Sequence, residues 1–381
     1  MEAYLDNSAT TCVYQETADL VCDLMVNHYG NPSAMHQKGV EAEQYIRTAQ
    51  ETLAKILKVK EKEIFFTSGG TESDNWALVG TAMANKRTGN HIITSAIEHP
   101  AVSAPLAFLE EQGFRITRLP VNKEGLVDVN ELEEAITPET ILVSIMYVNN
   151  EIGSVEPIGE IGRRIKAKNP KTYFHVDAIQ AFGKYRIYPK RMGIDMLSVS
   201  GHKIHAPKGI GALYLSDRLV QAFRPPYLGG EQERGLRPGT ENLPYAMGLA
   251  AAATRLAKTM KSRDTAMKAL NQRLREGLKA FPEVEINSPE NAVPEVLNFS
   301  ENCIKSETML AWLAEAQIYV SSASACGRGQ PSHTLAAMGK DPLAIDTAIR
   351  VSFCGDNTPD DVDAFLDRFE DGMKHLQKIR K

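Results

Sequence analysis

The sequence predicts an α/β fold with a large domain, built on a mostly parallel sheet flanked by helices, and a smaller α+β domain. Its 381 residues exceed the length at which a single hydrophobic core stops growing. Short apolar segments alternate with helical ones through the first two thirds of the chain, as in sheets covered on both faces. From about residue 245 one long helical segment replaces this alternation. We therefore predict a large domain over residues 13–250 and a small one formed by residues 1–12 and 251–381.

The large domain begins with a predicted helix over residues 42–57, where Ala42, Ile46, Ala49 and Leu53 recur with a helical period. Strands are predicted over residues 63–68, 91–97, 114–120, 140–148, 172–179, 195–200 and 209–216, and further helices over 101–113 and 158–170. These strands are apolar almost throughout. Such runs are typical of a parallel sheet that is buried on both faces.

The small domain follows a helix over about residues 245–280 that is long enough to bridge two domains. Strands are predicted over 295–300, 318–322 and 348–353, with a helix over 307–317 between them. The last helix has clear start signals, because Thr358 suits the N-cap and Pro359 the first turn, and Asp360 and Asp361 complement the helix dipole.

Composition excludes several classes of protein. A net charge of −5 gives no reason to expect direct nucleic-acid binding or attachment to an acidic membrane. The first residues lack a targeting signal, and the most apolar segment, residues 246–257, is too short to span a bilayer. Five scattered cysteines without a CxxC pair, Cys12, Cys22, Cys303, Cys326 and Cys354, argue against disulfides and a metal site. We expect a cytoplasmic protein without a metal.

A Gly-Gly turn in "TSGGTESDN", residues 67–75, lies between a predicted strand and a helix that starts near Thr71. Backbone N–H groups and a helix N-terminus form a natural phosphate cradle there, at Gly70 and Thr71. A purely structural turn is an equally good explanation of this motif alone. The motif is neither GxxxxGK[ST] nor GxGxxG, so it does not favour a nucleotide.

Polar side chains also end three other predicted strands. Asp177 follows one apolar strand, Ser200, His202 and Lys203 follow the next in "SVSGHK", and His99 follows the strand over 91–97. Taken singly, an Asp that caps a helix, a surface Lys and a structural His are adequate explanations. Together with the Gly-Gly turn they fit pyridoxal phosphate, which needs a Schiff-base lysine, a carboxylate for its ring nitrogen and a phosphate cup.

Cys326 lies in "SSASACGRGQPSH", residues 321–333, without a bulky apolar neighbour in sequence. A free cysteine is usually a small buried hydrophobe. The glycines instead indicate a surface loop, and Arg328 favours the thiolate, so we expect a reactive thiol.

These motifs recur in the same order in a known family. The segments "YLDNSATT", "TSGGTESDN", "EHPAV", "VNNEIGSVEPI", "FHVDAIQAFGK", "SGHKIHAPKGIGALY", "RPGTEN", "SSASAC" and "AIRVSF" run nearly end to end. The chain resembles the cysteine desulfurases of the NifS/IscS type, in the class V aminotransferase group of fold-type I pyridoxal-phosphate enzymes.

The resemblance implies a role for each matched residue. Lys203 would form the Schiff base, Asp177 would pair with the pyridine nitrogen and His99 would stack on the ring. The remaining implied contacts are Gln180 to the phenolic oxygen, Thr71, Ser200 and His202 to the phosphate, Asn150 and Arg350 to the substrate, and Thr240 to the phosphate of the neighbouring subunit in a homodimer.

The implied reaction converts L-cysteine to L-alanine, forms a persulfide on Cys326 and delivers the sulfur to a protein acceptor. Four residues separate Cys326 from "PSH", and the sequence ends at "KIRK". This short spacing leaves the acceptor open between an iron–sulfur scaffold and a dedicated tRNA-thiolation protein. The rival hypotheses are a selenocysteine lyase or aminotransferase, which keeps Lys203 and Asp177, and a non-enzymatic sulfur relay, which needs only Cys326.

Overall fold

The computed structural model describes residues 2–220, 223–322 and 331–379. The strands are β1 (Ala3–Tyr4), β2 (Ile64–Thr67), β3 (His91–Ser95), β4 (Arg115–Leu119), β5 (Thr140–Ser144), β6 (Tyr173–Asp177), β7 (Met196–Ser200), β8 (Gly211–Leu215), β9 (Glu285–Ile286), β10 (Val296–Ser300), β11 (Ile318–Tyr319), β12 (Ser321–Ser322) and β13 (Ala348–Ser352). The largest sheet has seven of them, in the order β2-β8-β7-β6-β5-β3-β4. All seven strands of the large sheet match predicted ones, with shorter ends.

The large sheet is mostly parallel, as predicted, and only β8 runs against its neighbours. The connection from β7 to β8, residues 201–210, holds no crossover helix. A connection this short returns the chain beside the strand it left, which forces the antiparallel pairing. The parallel strands β3, β5, β6 and β7 therefore end at one common edge of the sheet.

Helices cover the sheet and bury its apolar side chains, including Phe174, Leu197 and Leu142. They are Gln15–Asn27, Gln37–Leu57, Gly70–Asn75, which continues through a wider turn at Trp76–Gly80 into Thr81–Asn85, Pro100–Glu111, Val129–Ala135, Ile158–Lys168, Pro189–Met192, Asp217–Val220, Leu243–Leu278, Ser306–Glu315, His333–Ala337, Pro342–Asp346 and Pro359–His375. In the last of these, the Asp361 carboxylate accepts the Thr358 N–H at 2.9 Å, which agrees with the predicted start.

A second core forms around a four-stranded sheet, in the order β12-β13-β10-β9, from residues near both ends of the chain. Helix Leu243–Leu278 packs its first half, up to Leu256, in the core of the large sheet and its second half, from Met267, in this one. Residue 250 lies inside that helix. The domain limits given above stay a prediction.

The segment predicted as one strand over 318–322 forms two. Ile318 and Tyr319 pair in parallel with Ala3 and Tyr4, whereas Ser321 and Ser322 pair with Arg350 and Ile349. The chain changes pairing partner between them, which a hydrophobic pattern does not encode. Across the described ranges, no helix is both long and apolar enough to cross a membrane.

Candidate active site

The site lies at the edge of the large sheet where β6 and β7 end. A cavity of about 290 Å³ opens there, between the sheet, the N-terminal segment and the second core. Most of the predicted site residues line it: Gly70, Thr71, His99, Asn150, Asp177, Gln180, Ser200, His202, Lys203 and Arg350. Parallel strands gather these distant sequence positions because their carboxyl ends meet at one edge.

Lys203 is held by the N-terminal segment. It ends the short helical turn Gly201–Lys203 that follows β7, and its Nζ donates to the carbonyl oxygens of Ser8 at 2.5 Å and Ala9 at 2.8 Å. These acceptors are neutral, so they orient the amine without fixing a charge beside it. The amine therefore lines the cavity in a defined place.

Asp177 is a buried acid at the end of β6. Its carboxylate accepts the Ile179 N–H at 2.9 Å, and burial, followed by the charge of Asp74, raises the pKa of Asp177 to about 8. The charge of Lys203 lowers this pKa only weakly. A buried carboxyl with so little compensation is suited to a ligand that brings a positive charge.

The Gly-Gly turn begins a helix, as predicted. A Cβ on Gly70 would lie 2.1 Å from Ile179 Cδ1, so any larger residue there would have to displace the Ile179 side chain just beyond β6. The first N–H groups of a helix have no partner within it. Thr71, Ser200 and His202 surround this turn, and they also line an open cavity on its outer side. The group is therefore a suitable phosphate cradle.

Both histidines at the site are neutral. His99 Nδ1 accepts the Ala101 N–H at 3.1 Å and caps helix Pro100–Glu111. Burial, and next the charge of Lys203, lowers the pKa of His99 and that of His202 to about 4. Because Nδ1 of His99 accepts, its proton lies on Nε2. A neutral imidazole is compatible with stacking against an aromatic ring.

Arg350 enters the cavity from β13 of the second core. Its Nη2 donates to Asp6 Oδ1 at 2.8 Å and its Nη1 to the Asn150 carbonyl at 2.9 Å. Its Nε is buried and has no hydrogen-bond partner among the described residues. A guanidinium held in this way has capacity left for one more acceptor, such as a carboxylate.

Three comparisons with known proteins agree. The sequence profile described as "Aminotransferase class-V" matches residues 3–365. The cysteine desulfurase IscS of Methanosarcina thermophila is 43% identical over 379 residues, which are 99% of this chain and 93% of that protein. A solved structure of a NifS-like protein superposes with a TM-score of 0.94 at 37% identity and covers 99% of this chain and 100% of that one. A structure of SspA in complex with cysteine has a TM-score of 0.82 at 35% identity and covers 93% and 99%.

The chain belongs to the class V aminotransferase family, as a cysteine desulfurase of the NifS/IscS type. Its cofactor is pyridoxal 5'-phosphate. The predictions of family, fold class, enzyme class and cofactor are therefore confirmed. The residues present also fit that cofactor, because a buried acid, a lysine and a glycine-lined helix start share one cavity.

One predicted site residue, Thr240, is exposed and does not line the cavity. Another, Cys326, lies outside the described residues. Cys354, which follows β13, lies beside a narrower cavity next to Ser8 and Lys203, and burial raises the pKa of its thiol to about 11. Among the described residues, no group of three or more His, Cys, Asp or Glu side chains is arranged to hold a metal ion.

The sequence analysis missed the part played by residues 6–9. Asp6 pairs with Arg350, and Ser8 and Ala9 hold Lys203, in each case across more than 190 positions of the chain. "YLDNSATT" contributes to the resemblance, but its residues carry no periodicity that points to these contacts. The concentration of small polar residues just after a short strand is the one signal that the sequence offers.

Proposed function

We propose that the protein converts L-cysteine to L-alanine and takes up the sulfur as a persulfide on Cys326, from which a protein acceptor receives it. The observation that carries the proposal is one cavity lined by Lys203, Asp177 and Arg350. Lys203 offers a nucleophilic amine, Asp177 a carboxyl that can pair with a pyridinium nitrogen, and Arg350 a guanidinium that can bind the carboxylate of a substrate. The related SspA structure, which is a complex with cysteine, supports the choice of substrate.

Each of the matched residues has a proposed part in holding the cofactor. Bound pyridoxal phosphate supplies an electron sink that stabilises negative charge at the substrate Cα. Lys203 would be the attachment point, and Asp177 would pair with the ring nitrogen. Neutral His99 would stack on the ring, and Gln180 would contact the phenolic oxygen. Four residues would bind the phosphate: Gly70, Thr71, Ser200 and His202.

Gln180 has a fixed amide orientation that supports this part. Its Nε2 donates to the Ser8 carbonyl at 3.0 Å, and its Oε1 accepts from Lys184 Nζ at 3.1 Å. The donor side of the amide therefore lies toward the Ser8 segment that also holds Lys203. An N–H at this place is suited to a phenolate oxygen.

Arg350 and Asn150 bind the substrate. Arg350 grips the α-carboxylate with the donors that Asp6 and Asn150 leave available, and the Asp6 contact orients the fork. Lys203 is the base that moves the Cα proton, because its amine lines the same cavity as Arg350, which receives the substrate carboxylate. Neutral His99, with its proton on Nε2, is positioned as the second proton carrier.

The sulfur step balances without any further reagent. L-cysteine and the Cys326 thiol give L-alanine and the Cys326 persulfide. The thiolate attacks the substrate sulfur, the carbon–sulfur bond breaks, and Cβ of the departing fragment takes up a proton. A reductant or the acceptor protein then removes the sulfur from Cys326 and restores the thiol.

A homodimer completes the phosphate site in this proposal. Thr240 is exposed, and the cavity on the outer side of Gly70 and Thr71 is open to solvent. Tyr227 and Leu228, in the segment leading to Thr240, are exposed large apolar residues at 57% and 89%. Burial of such residues against a second copy would bring its Thr240 to the phosphate of the first. We propose a cytoplasmic enzyme whose acceptor is an iron–sulfur scaffold or a thiolation protein.

Release of alanine and sulfide from L-cysteine, with a thiol reductant, tests the function. Wild type is compared with Cys326→Ala while the visible absorbance of the cofactor is followed. We expect Cys326→Ala to keep the absorbance band and lose turnover, and Lys203→Ala to lose both. Sustained turnover in Cys326→Ala, or a keto acid in place of alanine, would indicate the lyase or aminotransferase alternative. Absence of the band from wild type would indicate the non-enzymatic relay.

A further inference from the structure

Glu151 is a buried acid next to the substrate site for which the catalytic scheme has no use. Its side chain is 7% exposed, and it follows Asn150 in a turn after β5. The Glu151 N–H donates to Asn149 Oδ1 at 2.9 Å, and the Asn150 carbonyl accepts from Arg350. The backbone of Glu151 is therefore tied to the residue that binds the substrate carboxylate.

The Glu151 carboxylate reaches the chain that follows Cys326. Its Oε2 accepts from Ser332 Oγ at 2.5 Å and its Oε1 from Thr334 Oγ1 at 3.2 Å. Ser332 Oγ in turn accepts the Leu335 N–H at 3.0 Å and caps helix His333–Ala337. Both hydroxyls are buried, so they depend on this carboxylate for an acceptor.

His333 strengthens the same attachment. Its Nε2 donates to the Glu98 carbonyl at 3.0 Å, and its Nδ1 lies 4.0 Å from Glu151 Oε1. Burial raises the pKa of Glu151 above its usual value, and the Ser332 hydrogen bond and the charges of His333 and Arg350 offset only part of this rise. The contacts that oppose the effect of burial include those that attach Ser332 and His333 to Glu151.

The strand that precedes Cys326 in sequence, β12, pairs with the strand that carries Arg350. Ser321 and Ser322 of β12 pair with Arg350 and Ile349 of β13. Cys326 is four residues from Ser322 and six from Ser332, which limits its reach to roughly 14 Å from the first and 20 Å from the second. The described residues that flank Cys326 in sequence, Ser322 and Ser332, are therefore attached next to Arg350 and Asn150.

We propose that Glu151 is a positioning residue that fixes Ser332 and Thr334 to the Asn150 turn, and that sulfur transfer from the substrate to Cys326 depends on this attachment. This inference rests on the proposed function. Glu151 does not contact the reacting atoms. Its removal is therefore expected to slow persulfide formation while cofactor and substrate binding remain.

The test uses the full-length enzyme with bound cofactor and compares Glu151→Gln, Thr334→Val and the double variant with wild type. Glu156→Gln is the matched control, because Glu156 is buried in the same segment, accepts the Val127 N–H and has a pKa raised by burial to about 8, so the neutral amide mimics it. The readouts are the affinity for cysteine, from the change in cofactor absorbance, and the single-turnover rate of persulfide formation on Cys326, by mass spectrometry.

We expect Glu151→Gln to lower the persulfide rate by about tenfold or more, with cysteine affinity changed by less than about threefold. Thr334→Val should lower the rate less, and the double variant should show less than the product of the two effects, because both act through one carboxylate. Glu156→Gln should keep the wild-type rate.

A wild-type persulfide rate in Glu151→Gln, or an equal loss in Glu156→Gln, would overturn the inference. So would a loss of cysteine affinity in proportion to the rate. If Glu151→Gln fails to bind cofactor, Thr334→Val decides alone, because it removes one hydroxyl and keeps the shape of the side chain. Absence of a Cys326 persulfide in wild type would refute the proposed function itself, which separates the two failures.

Discussion

Replacement of Asp74 by Asn is expected to stabilise the cofactor-free protein, and increasingly so as the pH rises. Asp74 is fully buried in the helix that starts at Gly70, and its carboxyl oxygens make no hydrogen bond of normal geometry to the described residues, although the Ser198 hydroxyl is near enough to lower its pKa. Within the described part of the chain, the one basic group in ion-pair distance of Asp74 is His175 Nε2, at 3.5 Å, and burial keeps this imidazole neutral by lowering its pKa to about 4. Burial raises the pKa of Asp74 from 3.8 to about 7.

The sign and size follow from linkage between protonation and folding. When the pKa of a carboxyl is higher in the folded protein than in the unfolded one, the free energy of unfolding falls as the pH rises from the unfolded pKa to the folded pKa. A shift of about three pH units at about 1.4 kcal/mol each gives a destabilisation of up to about 4 kcal/mol, absent near pH 4 and complete above about pH 7. Asp74→Asn removes it. The same change also lowers the pKa of Asp177, since the Asp74 charge contributes to raising it.

Urea unfolding of the cofactor-free protein at about pH 5, 6, 7 and 8 measures this. The free energy of unfolding of Asp74→Asn, relative to that of wild type, should rise by about 1.4 kcal/mol per pH unit between pH 5 and 7 and should then level off. Asp367→Asn, at an exposed carboxyl, is the control and should show no such slope. A difference for Asp74→Asn that is independent of pH, or that falls as the pH rises, would refute the reasoning.

Two further substitutions test the cavity. Arg350→Lys should lower kcat/KM for cysteine by about a hundredfold or more while the cofactor absorbance remains, because an ammonium cannot hold Asp6, the Asn150 carbonyl and a carboxylate at once; an unchanged kcat/KM would contradict the assignment. Gly70→Ala should weaken cofactor binding at least about tenfold in an equilibrium titration, because the new Cβ meets Ile179 Cδ1. Adding Ile179→Val, which removes that atom, should restore part of the affinity, and a failure to do so would show that the clash lies elsewhere.

Strand ends were the most predictable part of the site. Asp177 and Lys203 follow apolar runs in the sequence, and the parallel order of β6 and β7 makes their meeting a consequence of topology. The reversed direction of β8 follows from the short connection that carries Lys203, so it is also accessible to reasoning from sequence.

Contacts between distant segments were not predictable from local pattern. The pairing of Asp6 with Arg350 and the hold of Ser8 on Lys203 depend on how the N-terminal segment crosses between two cores, and neither hydropathy nor turn chemistry encodes that path. The role of Glu151 was hidden for the same reason. Its partners Ser332 and Thr334 lie about 180 positions away, and only the folded chain brings them together.

Arg350 is the point where these distant contacts converge. Its side chain bonds to Asp6 of the N-terminal segment and to the Asn150 carbonyl in the turn after β5. Its backbone pairs with β12. A buried guanidinium costs free energy unless its donors are satisfied, and Nε has no partner among the described residues. Burial even raises the pKa of Asp6 against the opposing charge of Arg350, so the pair alone does not fully compensate its own desolvation. A substrate carboxylate would accept from the remaining donors of a guanidinium that is already held in place. It would then contact the residue to which the segment that holds Lys203 and the strand that precedes Cys326 are both attached.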